Sequence, residues 1–191
     1  VSLSDTHDMT FTLSYLTQEN PLFQLEHRLN APHSEYRTRG SFTHNRAGEN
    51  RWHIFNDDVI ELGDYARATI FLERASDKTY LQKYGFYDDQ PYLDSGAKLE
   101  LFGQSSYVVA DAHIFQELRN SRSVHANPDG NILPNIRAVH QTAPLFGETY
   151  ATFGADVLGI SGDGTSSQRM IGDMRLTTPW TLWGGNRLTA S

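Results

Sequence analysis

The eight histidines of the chain are the first residues to consider for catalysis or metal binding. None of them occurs in an HxH or HExxH pattern, which would bring two imidazoles to one metal ion. His113 lies two residues from Asp111, so on an extended strand both side chains point to the same face and can form a carboxylate–imidazole pair. Such pairs are usually structural, and we therefore predict a polar patch there rather than an active site.

Two further patterns that often carry chemistry are absent or incomplete. No GxSxG nucleophile elbow occurs anywhere in the chain. The segment GISGDGTSS at 159–167 is rich in glycine, but it lacks the lysine of a phosphate-binding loop and most ligand positions of a calcium loop. We interpret it as a turn, and we expect no enzymatic activity, no metal and no cofactor.

Charged and polar side chains also recur at alternate positions inside segments that otherwise favour β-strands. The set is Glu26, Arg28, Arg37, Arg39, Arg67, Glu73, Asp111, His113, Arg169, Asp173 and Arg175. We predict that these residues line an aqueous lumen, where they are able to contact an anionic ligand such as a phosphorylated glycolipid. For any single residue the simpler interpretation is a solvated wall with cross-strand ion pairs, each contributing roughly 0–1 kcal/mol.

The elements that would position these residues are strands. Apolar and polar residues alternate from end to end of the chain, for example at Ala66–Leu72 and at Val108–Ile114, and no window sustains helical spacing. The pattern predicts an all-β, antiparallel up-and-down meander of about ten to eleven strands, with residues 1–191 in one domain and no second domain. Residues 76–90 interrupt it, which favours an ordered loop with one helical turn capped by Ser76. Pro134 favours an edge strand, a bulge or a strand start.

Composition limits the class of protein. The chain has 191 residues, 16 Lys and Arg, 23 Asp and Glu and a formal net charge of -7, which argues against a nucleic-acid partner. It has no cysteine, and no run of apolar residues approaches the ~20 needed by a spanning helix. The first residues, VSLSDTHDMT, contain neither an initiator methionine nor a signal peptide, so we expect an internal piece or a processed form.

Two interpretations of the alternating faces remain open on the pattern alone. In a membrane barrel the apolar face meets lipid and the charged face lines the lumen. In a soluble all-β ligand-binding module, sandwich or lipocalin-like, the apolar face is the core. We favour part of a large transmembrane β-barrel, because the strands are commonly nine or more residues long, as spanning strands must be. An outer-membrane enzyme using Asp111 and His113 is the third and weakest hypothesis.

The order of several segments resembles a known family. The segments are ENRWHIFNDDVIELGDYARATIFLERASDKTYLQKYGF at 49–86, YLDSGAKLELFGQSSYVVADAHIFQEL at 92–118, ILPNIRA at 132–138 and GDGTSSQRM at 163–170 before a strand that ends in TPW. Together they resemble the barrel of the LptD family of lipopolysaccharide-assembly proteins, in the form found in alphaproteobacteria. The resemblance covers nearly all of the chain and is strongest from about 49 to 180.

This resemblance implies a barrel segment of the translocon that inserts lipopolysaccharide into the outer leaflet of the Gram-negative outer membrane. The partners it implies are lipopolysaccharide, outer-membrane lipids, an LptE-like plug lipoprotein and periplasmic bridge proteins. The chain departs from the family in having no recognisable jellyroll, no cysteines and too few strands for a barrel of two dozen or more. We therefore expect it to supply part of the lumen wall, not the complete transport path.

Overall fold

The computed structural model describes residues 2–4, 6–86, 91–118, 130–162, 165–181 and 187–190. These residues form one antiparallel sheet in which each strand pairs with its neighbours in the sequence, so the predicted all-β up-and-down meander is confirmed. The strands are β1 (Ser2–Ser4), β2 (His7–Ser14), β3 (Leu22–Ala31), β4 (Ser34–His44), β5 (Asn50–Glu61), β6 (Ala66–Ala75), β7 (Tyr92–Phe102), β8 (Ser106–Glu117), β9 (Asn131–Gln141), β10 (Tyr150–Gly162), β11 (Thr165–Thr181) and β12 (Arg187–Ala190). Ten of them have eight or more residues, and the short β1 and β12 complete the sheet.

The cross-strand register sorts the side chains onto two faces, because directly paired residues point to the same side. One face, called the apolar face here, carries continuous cross-strand rows of apolar residues. One row is Leu13, Phe23, Phe42 and Trp52, and a second is Ile60, Ala68, Leu99, Ala110, Ile136, Val157 and Met170. The intervening residues form the polar face, whose rows include Thr10, Glu26 and Arg39.

The sheet is strongly staggered. Through the ladder, Leu13 on β2 is level with Trp52 near the start of β5, whereas Met170 on β11 is level with Ile60 near its end. The strand midpoints shift by about eight residues from β2 to β11, which at ~3.3 Å per residue and ~4.8 Å per strand is a slope of roughly 30–35°. The strands are therefore oblique to the band of apolar residues, in the way that barrel strands tilt by about 35–45°.

The segment that follows β6 folds back onto the polar face. It contains α1 (Tyr80–Lys83), the single helical turn that the sequence predicts. The predicted cap is wrong: Thr79 precedes the helix, and the Ser76 hydroxyl accepts a hydrogen bond from the Trp52 backbone at 3.0 Å. Within the described ranges, no helix has the length and apolar character needed to cross a membrane.

Strands β6 and β7 pair from Ala66 to Phe71 and then separate. Side chains replace the missing ladder, because Ser95 Oγ accepts from the Glu73 N–H at 3.0 Å and donates to the Glu73 carbonyl at 2.9 Å. Further along, Gln116 donates to the Ala75 carbonyl at 2.7 Å and accepts from the Ala75 N–H at 3.1 Å. The α1 segment packs beside this split, where Tyr80, Leu81 and Leu93 are buried.

Strand β9 contains a bulge at the predicted position of Pro134. Leu133 and Pro134 together face one residue on each neighbouring strand, Ala112 on β8 and Gly159 on β10. A Cβ on Gly159 would stand 2.3 Å from the Leu133 carbonyl oxygen, so only glycine lets the bulge approach this closely. The segments 119–129 and 163–164 lie outside the described residues, so the prediction of a turn at 159–167 is covered only in part.

Candidate functional surface

The apolar face is open. Large apolar side chains point from it into the surroundings on nearly every long strand, with Phe11 64% exposed and Met170 79% exposed. Others on this face that are more than a third exposed are Met9, Leu13, Phe23, Leu25, Phe42, Trp52, Ile70, Leu99, Leu101, Ile114, Phe153, Met174, Leu176, Trp180 and Leu188. The main contacts join consecutive strands, and α1 packs on β5 from the polar side, so no described element covers the apolar face.

Polar residues also occur on the apolar face, and several of them lie together where β2 to β5 are side by side. Thr38 donates a hydrogen bond to Asn56 at 2.6 Å, and the Nε2 atoms of His7 and His27 lie 2.5 Å apart. These side chains therefore satisfy one another in pairs, which lowers the cost of an apolar environment. Asp58 is the exception, since one of its carboxyl oxygens is buried without a partner in the described part of the chain.

The polar face carries all eleven residues predicted to line a lumen. Their register positions place Glu26, Arg28, Arg37, Arg39, Arg67, Glu73, Asp111, His113, Arg169, Asp173 and Arg175 on this one side of the sheet. That they share a face follows from the ladder; that this face borders a lumen stays a prediction.

Several of these residues meet in ion pairs, within one strand or between neighbouring strands. Glu26 is 3.3 Å from Arg28 and 2.9 Å from Arg37, so one carboxylate serves two guanidinium groups. Arg67 pairs with Glu61 at 2.7 Å, and Glu73 accepts from the Asp94 backbone N–H at 3.2 Å. Arg169, Asp173 and Arg175 lie on β11 opposite Leu158, Gly154 and Thr152. The residues thus form local pairs along the sheet rather than one cluster.

The Asp111–His113 pair that the sequence suggests is present and has a third member. His113 Nε2 is 3.2 Å from Asp111, and His113 Nδ1 is 2.9 Å from Asp94 on β7. Asp111 also accepts from Asn135 at 3.0 Å. Because both imidazole nitrogens face carboxylates, neither is free to remove a proton from a substrate. The geometry favours a cross-strand polar network over a catalytic pair.

Arg51 anchors the α1 segment to the polar face. Its guanidinium donates to the two Asp77 oxygens at 2.8 and 2.6 Å and to Thr79 Oγ1 at 2.8 Å. It also lies over the rings of Tyr80 and Tyr84, at 5.5 and 5.7 Å from their centroids. Burial alone would raise the pKa of Asp77, but hydrogen bonds from Arg51, Thr79 and Ser76 hold that pKa well below its usual range.

A second anchor joins Ser41, His53 and Tyr80, which sequence analysis did not select. Ser41 Oγ lies 2.6 Å from His53 Nδ1 and 2.6 Å from the Tyr80 hydroxyl. Burial raises the pKa of the Tyr80 phenol, so it stays neutral. No local pattern links a residue on β4 to one on α1, because their proximity depends on how the 76–86 segment folds back. Among the described residues, no group of three His, Asp or Glu side chains is able to hold a metal ion.

Comparison of the chain with protein-family models and with curated proteins found no match.

Proposed function

We propose that this chain is a section of the wall of an outer-membrane β-barrel that takes part in the insertion of lipopolysaccharide into the outer leaflet. The observation that carries the proposal is the open apolar face, which continues across β2 to β11 while the ion pairs and the α1 segment occupy the opposite side. Acyl chains are the environment in which such a face is stable.

The extent of the apolar face supports a lipid environment over water. Soluble monomers rarely expose continuous apolar patches above a few hundred Å². Here exposed aromatic and aliphatic side chains follow one another over nearly all of the ten neighbouring strands β2 to β11. The long strands, most of them ten or more residues, and their slope of roughly 30–35° to the apolar band both suit strands that cross a bilayer at a tilt.

The role in lipopolysaccharide transport is supported by the resemblance to the LptD family and by the arginine-rich polar face. Arginine is suited to phosphate and carboxylate groups because its planar fork donates two parallel hydrogen bonds. On this proposal the partners are lipopolysaccharide, an LptE-like plug lipoprotein and the periplasmic bridge proteins. The barrel would be completed by strands beyond β1 and β12.

In vivo photo-cross-linking tests the proposal. A photoreactive phenylalanine analogue is placed at Arg67, Arg169 or Asp173 on the polar face of the protein, expressed in a Gram-negative host. We expect lipopolysaccharide adducts at these positions, since lipid in transit would pass this face. Membrane fractionation of the same cells shows whether the protein reaches the outer membrane. If the protein reaches the outer membrane but gives no adduct at any polar-face position, the barrel assignment would stand and the transport role would be wrong.

The soluble ligand-binding module, the alternative, needs a second layer of structure over the apolar face. The described residues form one sheet and a short helix on the other face, and so they do not supply that layer. No specific observation favours this alternative.

A further inference from the structure

A cavity of about 390 Å³ lies on the polar face beside the α1 segment. Its size falls within the ~300–1,000 Å³ that is usual for small-ligand sites. It is lined by residues of β2 to β5 and by Phe86 from the folded-back segment. The 76–86 segment therefore converts part of an otherwise open wall into a concave site.

Arg39 is the residue of this cavity whose hydrogen-bonding capacity is least satisfied within the described part of the chain. Its Nε is buried and has no hydrogen-bond partner in the described part of the chain. Within the described part of the chain, its one ion pair is a long one to Asp57, 3.8 Å from a terminal nitrogen, and its guanidinium carbon lies 5.8 Å from the centroid of the Phe55 ring. Glu26, which also lines the cavity, is already shared by Arg28 and Arg37. The Arg39 side chain lines the cavity and is 39% exposed, and a guanidinium group without a close acid favours an anionic ligand.

The remaining lining fits a sugar. The hydroxyls of Thr10 and Thr12 and the amide of Gln24 provide donors and acceptors, while Phe55 and Phe86 provide apolar rings. Phe86 is held in place by His53, whose ring centroid is 4.3 Å away. Polar side chains placed around aromatic surface complement a sugar ring, which has hydroxyls at its edge and C–H groups on its faces.

We propose that this cavity binds a phosphorylated hexose, with Arg39 on the phosphate and Phe86 against the ring. The inference deepens the proposed function and rests on it where the sugar is the headgroup of a lipid. The same chemistry occurs in a free sugar phosphate. The two sources are separated by the probes below.

The test is calorimetric titration of the full chain in detergent micelles. The probes are glucose 6-phosphate, glucose, inorganic phosphate and micellar monophosphoryl lipid A. We expect glucose 6-phosphate to bind at least about tenfold more tightly than glucose or phosphate alone, because each of these keeps only part of the interaction. Binding of the lipid A probe through Arg39 would identify a lipid headgroup as the natural source, and binding of the free sugar phosphate alone would identify a soluble one.

Two variants and a matched control make the test specific. Arg39→Gln should weaken glucose 6-phosphate binding about tenfold or more by losing the charge. Phe86→Leu should weaken the sugar phosphate but not inorganic phosphate. Arg137→Gln, the same change on the polar face away from the cavity, should bind like the parent. Circular dichroism confirms that each variant is folded.

Equal affinity of folded Arg39→Gln and the parent would overturn the proposal, as would the absence of binding of either phosphorylated probe at about 10 mM. These outcomes are independent of the cross-linking experiment, because that experiment reports lipid passage along Arg67, Arg169 and Asp173. If the cross-links form but no phosphorylated probe binds, only this inference is wrong. If a phosphorylated probe binds but no cross-links form, only the transport role is wrong.

Discussion

The contact between Arg51 and Asp77 is the one whose removal should most affect the α1 segment. In Asp77→Asn the guanidinium loses the carboxylate that accepts two of its hydrogen bonds, at 2.6 and 2.8 Å. The Arg51 side chain is only 8% exposed, so water has little access to replace the lost acceptor. Isolating a fully buried charge costs about 3–5 kcal/mol. Asp77 itself is 37% exposed, which reduces the expected loss in the free energy of unfolding to about 1–3 kcal/mol.

Urea unfolding of the chain in detergent micelles, followed by circular dichroism, measures this loss. The matched control is Asp57→Asn, because Asp57 is 61% exposed and lies 3.8 Å from Arg39. We expect the control to change stability by no more than about 0.5 kcal/mol. In addition, Arg51→Met combined with Asp77→Asn should cost less than the sum of the two single changes, because no unpaired charge remains. If Asp77→Asn costs no more than Asp57→Asn, the anchoring role of Arg51 is wrong.

Three further predictions concern pH, a close approach and the strand split. The stability difference between the parent and Asp77→Asn should be constant near neutral pH and should shrink as pH falls below about 4. The reason is that the Asp77 pKa is depressed, so the contribution of this carboxylate is lost when it is protonated. A difference that stays constant down to pH 2 in the same unfolding assay would count against the depressed pKa. Gly96→Ala should lower the free energy of unfolding by about 1–3 kcal/mol, because the new Cβ would stand 2.0 Å from the Ala112 oxygen. Gly103→Ala is the control and should be nearly neutral, because its Cβ would have no atom closer than 3.4 Å. Similar unfolding midpoints for the two variants would contradict the register. Gln116→Leu should lower the free energy of unfolding by about 1–3 kcal/mol and speed the hydrogen exchange of the Ala75 amide, because that amide loses its acceptor. Gln141→Leu is the control. An unchanged exchange rate would show that Gln116 does not bridge the split between β6 and β7.

The alternation of residues was enough to predict the strands and the two faces. Every residue assigned to the charged face, from Glu26 to Arg175, lies on one side because a strand reverses its side chains at each step. The stagger was not predictable, since it depends on which residues pair and not on what each strand contains. The pairings of β4 with β5 and of β10 with β11, which set the stagger, are properties of the folded sheet.

The part of the candidate site that sequence analysis missed depends on long-range contacts. Ser41 and His53 look like ordinary polar positions of β4 and β5, and Tyr80 lies 39 residues after Ser41. Nothing local indicates that the 76–86 segment folds over the polar face rather than away from the sheet. Its direction is set by Arg51, which reaches Asp77 and Thr79 across 26 and 28 residues, and by burial of Leu81 and Leu93 at the split. The cavity beside Arg39 exists only because of that direction.

The most direct test of the account is a spin-label scan along β8 in lipid bilayers. The chain has no cysteine, so single-cysteine variants at residues 107–113 need no prior substitutions. If the apolar face meets acyl chains, labels at Val108, Ala110 and Ala112 should collide with oxygen, which concentrates in the bilayer core. Labels at Val109, Asp111 and His113 should instead collide with a water-soluble nickel chelate. Even-numbered labels that are accessible to the nickel chelate, or shielded from both reagents by protein, would contradict the central claim.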